Sequence, residues 1–458
     1  MIHRFRMGGK NIVMDINSGA VHVTDDCMYD VLSFLGDDTI VPQETCPPDI
    51  TASLSGRYSK NEVEDAYSEI KELIQEGLLY TVDTYAEMAK NWNKKSFIKA
   101  MCLHVAHDCN LRCKYCFAST GSFEGKRLIM DADTAKKAID FLIASSGKRR
   151  NLEVDFFGGE PLMALDTVKE TVRYARKQEK LHDKNFRFTI TTNGILLDDE
   201  TDRFINEEMS NVVLSIDGRK EVNDAMRGKG VYDQILPKFK KLADERGQTN
   251  YYVRGTFTAK NLDFANDVLH FADLGFQQTS VEPVVEDEPG HDYELKREHL
   301  PQIFAEYERL AYEYVKRRKE GKSFNFFHFM VDLEQGPCIV KRMSGCGAGH
   351  EYVSVTPEGD IYPCHQFVGN PDFIMGNVFD GKIDETMKET FERSNVYTKK
   401  ACETCFAKFY CSGGCSANAY KFNRDIDIPY DMACEMERKR TECAIYIAAE
   451  EAERSQNE

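Results

Sequence analysis

Short runs in which apolar and polar residues alternate open the chain. IHRFRM, NIVMDI and AVHVT have the period of half-buried strands, and Gly8-Gly9 and Asn17-Ser18-Gly19 supply turns between them. Asp25 to Leu35 and Lys60 to Tyr80 then place apolar residues three and four apart, the repeat of a helix with one buried face. A turn-rich stretch from Cys46-Pro47-Pro48 onward separates those helices. The opening segment therefore reads as a small unit of three strands leading into helices.

From about residue 98 to 285 the pattern changes to apolar strand-like runs alternating with amphipathic helices: FIKAMCLHV, LEVDFFGG, FRFTITTNG, NVVLSIDG, YYVRGTFT and TSVEPVV. Strands separated by helices predict a parallel sheet with right-handed crossovers, either an open doubly wound sheet or a partial barrel. Several of these strands run into chemically loaded loops, CNLRCKYC, GGEP, TTNG and SIDG. Ligands in such folds bind at the carboxyl ends of the strands. Residues from about 286 to 335 read as mostly helical, and nine of the fifteen cysteines fall between Cys338 and Cys443.

Composition narrows the chemistry. At 458 residues the chain is long enough for roughly two to four domains, and 42% hydrophobic with 29% charged residues is ordinary for a globular protein. The net charge of −17 argues against general affinity for nucleic acid, which depends on basic side chains. No segment is apolar for the length of a membrane span, and MIHRFRMGGK lacks the features of a signal peptide, so a cytoplasmic location without membrane attachment is expected. Fifteen cysteines in such a compartment point to metal binding rather than disulfides.

Cys109-Asn-Leu-Arg-Cys113-Lys-Tyr-Cys116 sets three thiols in one loop after the first long strand. A 4Fe-4S cluster normally takes four cysteine ligands, so three leave one iron open. The competing reading, a structural zinc site, normally wants four closed ligands. This loop resembles the defining motif of the radical S-adenosylmethionine (SAM) superfamily. The resemblance implies a partial (β/α)6 TIM-like barrel whose open iron chelates SAM, and whose reduced cluster cleaves SAM to a 5′-deoxyadenosyl radical that abstracts hydrogen from carbon. It also implies further SAM contacts, in order along the chain: Gly158, Gly159 and Glu160 of the GGEP segment at the methionine amino group, Ser215 and Asp217 at the ribose and carboxylate, and Arg227 at the SAM carboxylate. Tyr115 and Val285 would supply backbone contacts to adenine.

Further on, Cys346-x12-Gly359-x4-Cys364 precedes Cys402-x2-Cys405-x5-Cys411-x3-Cys415 and Cys434. Paired C-x2-C spacings alone would suit one or two zinc ribbons. The whole set resembles the seven-cysteine SPASM domain. That resemblance implies two auxiliary 4Fe-4S clusters, one held by Cys402, Cys405, Cys411 and Cys434 and the other by Cys346, Cys364 and Cys415. Cys338 would complete the second, or its absence from the set would leave an iron open to a substrate thiol. Cys27, Cys46, Cys102 and Cys443 have no partners at ligand spacing and are expected to be buried free thiols.

The resemblance divides the chain into a winged-helix-like peptide-recognition domain (1–92), a radical SAM partial barrel (93–330) and a SPASM domain (331–458), with three 4Fe-4S clusters in all. The first of these resembles the element that captures the leader of a precursor peptide, a mode in which strand addition gives affinity. The whole arrangement most resembles the maturases of SCIFF peptides (six cysteines in forty-five residues), which join a cysteine sulfur to the α carbon of another residue. It implies an oxidative reaction on a cysteine-rich precursor peptide, in which an auxiliary cluster accepts an electron, and a flavodoxin or ferredoxin as electron donor. Anaerobic sulfatase-maturing enzymes share both cysteine motifs but carry an aspartate base where this chain has His365. A carrier that uses its clusters only for electron transfer is a different class of answer, against which the SAM-site residues argue.

Overall fold

The computed structural model describes residues 1–38, 40, 42–90, 96–286, 290–333 and 342–457. Its first strands, β1 (Ile2–Met7), β2 (Lys10–Asp15) and β3 (Val21–Thr24), pair antiparallel in that order. Alternation along β1 and β2 sends Ile2 and Val13 into a core with α1 (Asp26–Leu35) and α3 (Lys60–Gln75), where Val31, Leu32, Val63 and Ile70 are wholly buried. Phe5, Met7, Ile12 and Met14 point the other way, into the main core. Asp25 caps α1 by accepting from Met28 N at 2.7 Å, and Ser59 with Glu62 forms a capping box on α3. The stretch expected to be only turn-rich contains a further helix, α2 (Pro48–Leu54). Proline is tolerated at a first helical position because that N–H has no helical partner anyway. A short α4 (Tyr85–Lys90) follows.

The six expected parallel strands are all present: β4 (Ala100–Ala106), β5 (Asn151–Gly158), β6 (Asn185–Thr192), β7 (Met209–Ser215), β8 (Tyr251–Phe257) and β9 (Gln278–Pro283). Each pairs parallel with the next. Between and after them run α5 (Ala132–Ser145), α6 (Leu165–His182), α7 (Asp199–Glu208), α8 (Lys220–Arg227), α9 (Val231–Glu245), α10 (Ala265–Asp273) and the long α11 (Leu300–Lys319). Val154, Phe156, Phe188, Ile190, Val212 and Leu214 lie on the helix-covered face and are fully buried. Each such side chain contributes about 1.5–3 kcal/mol on burial. Their alternates Asp155, Phe157, Thr189, Thr191 and Ser215 are half-buried on the concave face, so the strands are two-faced with an interior that is not sealed.

The sheet grows at both edges. β10 (Asn325–Phe326) adds parallel to β9, and β11 (Tyr352–Val355) adds parallel to β4, followed by the antiparallel β12 (Asp360–Tyr362), β13 (Gly376–Asn377) and β14 (Lys382–Ile383). The C-terminal helix (Asp431–Asn457) lies along α11 and inserts Cys443, Ile445 and Ile447 into the main core. It also receives the N-terminal unit: His3 pairs with Glu442 at 3.0 Å, and Lys10 with Glu450 at 3.3 Å. Among the described residues no helix is long and apolar enough to cross a membrane.

Candidate active site

Because β4 to β9 run parallel, their carboxyl ends and following loops share one edge, and the Cys109–Cys116 loop leaves β4 on that edge. Cys109, Cys113 and Cys116 are half-buried free thiols within electrostatic reach of one another. Burial pushes the Cys109 thiol up, with Glu160 and Cys116 adding to it, while N–H bonds from Leu111 at 3.4 Å and Asn193 at 3.6 Å pull it back. Burial likewise pushes Cys113 up to about 11, against the pull of the Arg227 guanidinium beside it. Thiols gathered out of water in this way suit a cationic iron–sulfur core, which would neutralise them as thiolates. Among the described residues, no three histidine, cysteine or carboxylate side chains are arranged to hold a single metal ion.

The GGEP segment is clamped onto this loop. Gly159 N donates to Ala106 O at 2.7 Å and Glu160 N to Asp108 O at 2.9 Å. A Cβ on Gly158 would lie 2.2 Å from Ala106 O, and one on Gly159 2.1 Å from Asp108 O, so the two glycines permit a backbone approach that no other residue allows. The Glu160 carboxylate is buried and accepts from Thr192 Oγ1 (2.8 Å), Asn193 N (2.7 Å) and Leu162 N (3.0 Å). Burial outweighs those three donors and raises it to about 7. Its side chain thus faces the TTNG turn after β6, leaving backbone as the part of the segment nearest the cysteine loop.

A second group forms around Asp217, fully buried just past β7. Both its oxygens accept from the Tyr115 hydroxyl, at 2.7 and 2.8 Å. Oδ1 also accepts from Arg227 Nη2 at 2.8 Å and Thr256 N at 3.1 Å. Arg227 ends α8, which is tied to the cysteine loop by Lys114 N donating to Met226 O at 2.9 Å. Its Nε is buried with no partner among the described residues, a donor left open beside Cys113. Tyr115, expected to act through its backbone, therefore also engages through its hydroxyl. Ser215 is the last residue of β7, in register with Arg254 of β8. Val285 follows β9, its carbonyl accepting from Lys421 Nζ at 3.5 Å.

The C-terminal thiols fall into two groups. Buried Cys364 lies within electrostatic reach of the exposed Cys346 and Cys415, and burial holds its thiol well above the usual range. Cys411 neighbours Cys434, Cys405 and Cys402, and Cys434 in turn neighbours Cys402 and Cys405. These groupings are the ones implied by the resemblance to the SPASM pattern, Cys338 aside. Cys338 lies outside the described residues. Cys27, Cys102 and Cys443 are buried, whereas Cys46 is only half-buried. His365, next to Cys364, sits between the thiol groups: its ring meets Phe117, which follows Cys116, at 5.7 Å and Phe157 at 5.1 Å, and burial lowers it to about 4. Tyr352 Oη reaches its Nδ1 at 3.4 Å.

Sequence reasoning missed Asn193, whose side-chain amide donates to Cys109 Sγ and, at 2.7 Å, to Asn110 Oδ1. The TTNG motif was its signal. Asn223 and Thr256, which hold Asp217 from either side, carried none.

Comparison with known proteins agrees with this geometry. Residues 103–263 match the radical SAM superfamily and residues 346–406 match SPASM, an iron–sulfur cluster-binding domain. Mycofactocin maturase MftC of Mycolicibacterium smegmatis is 26% identical over 332 residues, covering 71% of this chain and 80% of its own. The cysteine-type anaerobic sulfatase-maturating enzyme of Clostridium perfringens is 25% identical over 350 residues, covering 70% and 90%. Among solved structures, anSMEcpe with bound AdoMet shares the fold with a TM-score of 0.62 over 75% of this chain and 96% of its own, at 20% identity. Streptococcus suis SuiB bound to S-adenosylmethionine does so with a TM-score of 0.54 over 94% of this chain and 98% of its own, at 18% identity. The chain thus carries a radical SAM domain over residues 103–263 and a SPASM domain over residues 346–406.

Proposed function

We propose that this protein is a peptide maturase that joins a cysteine sulfur to the α carbon of another residue in a ribosomally made precursor. The observation that carries the reading is the packing of Gly158 and Gly159 against the Cys109–Cys116 loop, with Arg227 presenting an open donor beside Cys113. Cys109, Cys113 and Cys116 would hold a 4Fe-4S cluster with one open iron. The GGEP backbone and Arg227 would orient SAM, while Asp217 fixes Arg227 and Tyr115. When bound, the cluster supplies the electron that converts SAM to methionine and a 5′-deoxyadenosyl radical. The two C-terminal thiol groups would hold auxiliary clusters, Cys338 completing the one at Cys364. A flavodoxin or ferredoxin would deliver electrons from outside.

A peptide substrate is supported by the relatives, which include mycofactocin and sulfatase maturases, and by the SuiB fold, which extends over the N-terminal unit and has been solved with its precursor peptide SuiA. Thioether chemistry is the finer reading. Its rival, oxidation of a cysteine or serine to formylglycine, draws on the sulfatase-maturating relatives. Against it stand His365 in place of an aspartate and the additional N-terminal unit.

The test is anaerobic turnover of the reconstituted protein with SAM, dithionite and each short cysteine-rich peptide found by inspecting the open reading frames that neighbour its gene. The expected outcome is 5′-deoxyadenosine together with peptide that has lost two hydrogens and one free thiol. A carbonyl trapped by a hydrazine would establish the rival instead, and absence of 5′-deoxyadenosine would remove both.

A further inference from the structure

The concave face of the barrel holds a charge arrangement that the SAM site does not use. Alternation along β8 and β9 turns Tyr251, Val253 and Val281 to the helices and leaves Tyr252, Arg254, Ser280 and Glu282 facing inward. Glu282 Oε1 is crowded: His328 Nε2 lies at 3.1 Å, Ser280 Oγ donates at 3.1 Å, and Arg254 Nη2 stands 3.8 Å away. Those three contacts all fall on Oε1, and the side chain is 26% exposed. His328 is aimed from behind by the C-terminal helix, where Arg440 Nη1 lies 2.8 Å from His328 Nδ1 and Nη2 is held by Glu437. Arginine has only donors to offer and its Nη1 also lies 3.5 Å from Nε2, so Nδ1, the nearer nitrogen, is the acceptor, and Nε2 is the ring nitrogen within ion-pair distance of Glu282. Against the upward push of burial, His328, Arg254 and Arg440 hold the Glu282 carboxyl well below the usual carboxylate range.

Contacts from β8, β9 and the turn carrying His328 thus converge on one oxygen of this carboxylate. Arg254 is 51% exposed, and a single 3.8 Å contact contributes little to folding. Register places this pair beside the SAM-site residues: Arg254 opposes Ser215, and Glu282 opposes Thr256, whose N–H donates to Asp217. The barrel edge there is apolar and open, with Phe327 and Met330 more than half exposed and Tyr252 edge-on to Phe327 at 5.7 Å.

We propose that Glu282 and Arg254 form a main-chain clamp for the substrate peptide, Glu282 Oε2 accepting an N–H and Arg254 donating to a carbonyl of the residue whose α carbon faces SAM. An extended peptide offers that donor and acceptor whatever its side chains, and the apolar rim suits the residues on either side. His328 and Arg440 are positioning residues for the carboxylate. The inference rests on the peptide-maturase reading.

The test uses the reconstituted holoenzyme, SAM, dithionite and the cysteine-rich peptide that the turnover experiment above identifies as substrate, measuring 5′-deoxyadenosine and cross-linked peptide together. Glu282→Gln and Arg254→Met are expected to make 5′-deoxyadenosine without peptide at the wild-type rate. Both should raise the KM for peptide roughly tenfold and form correspondingly less product per 5′-deoxyadenosine, as expected for a lost bond to a charged group. Arg254→Lys, which keeps one donor, should recover part of the coupling. Wild-type coupling and KM in both variants would overturn the clamp, and so would loss of peptide-independent SAM cleavage, which would place these residues in the SAM site. If Glu282→Gln fails to fold, the half-exposed Arg254 carries the test alone. Should wild type itself leave the peptide unchanged, the maturase reading fails and the clamp with it. A working wild type with unaffected variants removes the clamp only.

Discussion

The cysteine loop after β4 and the C-terminal cysteines solve the same problem by opposite means. In the first, three thiols lie within eight residues, and the sheet supplies rigidity: β5 presses two glycines onto the loop, β6 sends Asn193 to Cys109, and α8 ties Met226 to Lys114. In the second, Cys346 and Cys434 are 88 positions apart, and the structure between them consists of short strands, single helical turns and close backbone bends. Bonds such as Cys405 N to Cys402 O at 3.2 Å and Cys411 N to Ala407 O at 2.8 Å shape local turns, and the strand pairing in this region stops at β14, before Cys402, Cys405, Cys411, Cys415 and Cys434. A preorganised loop positions a reactive centre without its metal, whereas a dispersed set gains much of its order from the metal it binds.

The largest effect that would break this comparison is on SAM cleavage. Cys113→Ala should reduce 5′-deoxyadenosine to background while leaving the thermal melting of the reconstituted protein nearly unchanged. Cys411→Ala should do the reverse, leaving peptide-independent 5′-deoxyadenosine formation within about threefold of wild type and lowering the melting temperature. Equal loss of cleavage in both variants would show that the two regions are not separable.

A smaller effect sharpens the same contrast through the backbone. Gly159→Ala puts a methyl 2.1 Å from Asp108 O, where both partners are strand-end backbone and neither can yield. It should destabilise by about 2–4 kcal/mol, read as a lower melting temperature, and abolish SAM binding measured by calorimetry. Gly414→Ala, beside Cys415, meets nothing within 4 Å, and its positive φ of 75° costs only about 1 kcal/mol. If the two alanines cost the same, the loop after β4 is no more rigidly held than the C-terminal turns.

Much of this is legible in the sequence, for a physical reason. Apolar periodicity and turn residues are local, so the six parallel strands, the three N-terminal strands and the motif-bearing loops could be read directly, and the two C-terminal cysteine sets followed from their resemblance to a known pattern. What stayed hidden joins residues that are distant along the chain. The pairing of β11 with β4 puts Ser354 opposite Cys102 through a strand of four residues, too short for a periodic signal. The alignment of Glu282, His328 and Arg440 draws one side chain from each of three separate elements, and single charged residues on strand, turn and helix look like solvated surface until they meet. Pro48 hid α2 for the opposite reason, since a proline that reads as a breaker is also a good first residue.

Asn193 gives the smallest predicted effect and the finest test of how the sheet tunes the loop it holds. Its amide donates to Cys109 Sγ at 3.6 Å and is locked in that direction by Asn110 Oδ1 at 2.7 Å, while its own Oδ1 accepts from Ile195 N at 3.1 Å. A donor at a ligand sulfur favours the reduced, more negative state of a cluster and so raises its potential. Taking the bond as about 1 kcal/mol and about 59 mV per tenfold change for one electron, Asn193→Ala should lower the potential of the Cys109 cluster by roughly 40 mV. Redox titration followed by paramagnetic resonance, in a background carrying Cys364→Ala and Cys411→Ala so that any cluster at the C-terminal cysteines does not contribute, would read this shift directly. An unchanged potential would mean that the TTNG turn only shapes the Glu160 pocket. A drop confined to the Cys109 signal would show the sheet acting on the electronics of the loop as well as its position, a kind of control that the dispersed C-terminal set, with no strand end reaching its sulfurs among the described residues, has to obtain from side chains such as Arg438, which donates to Cys405.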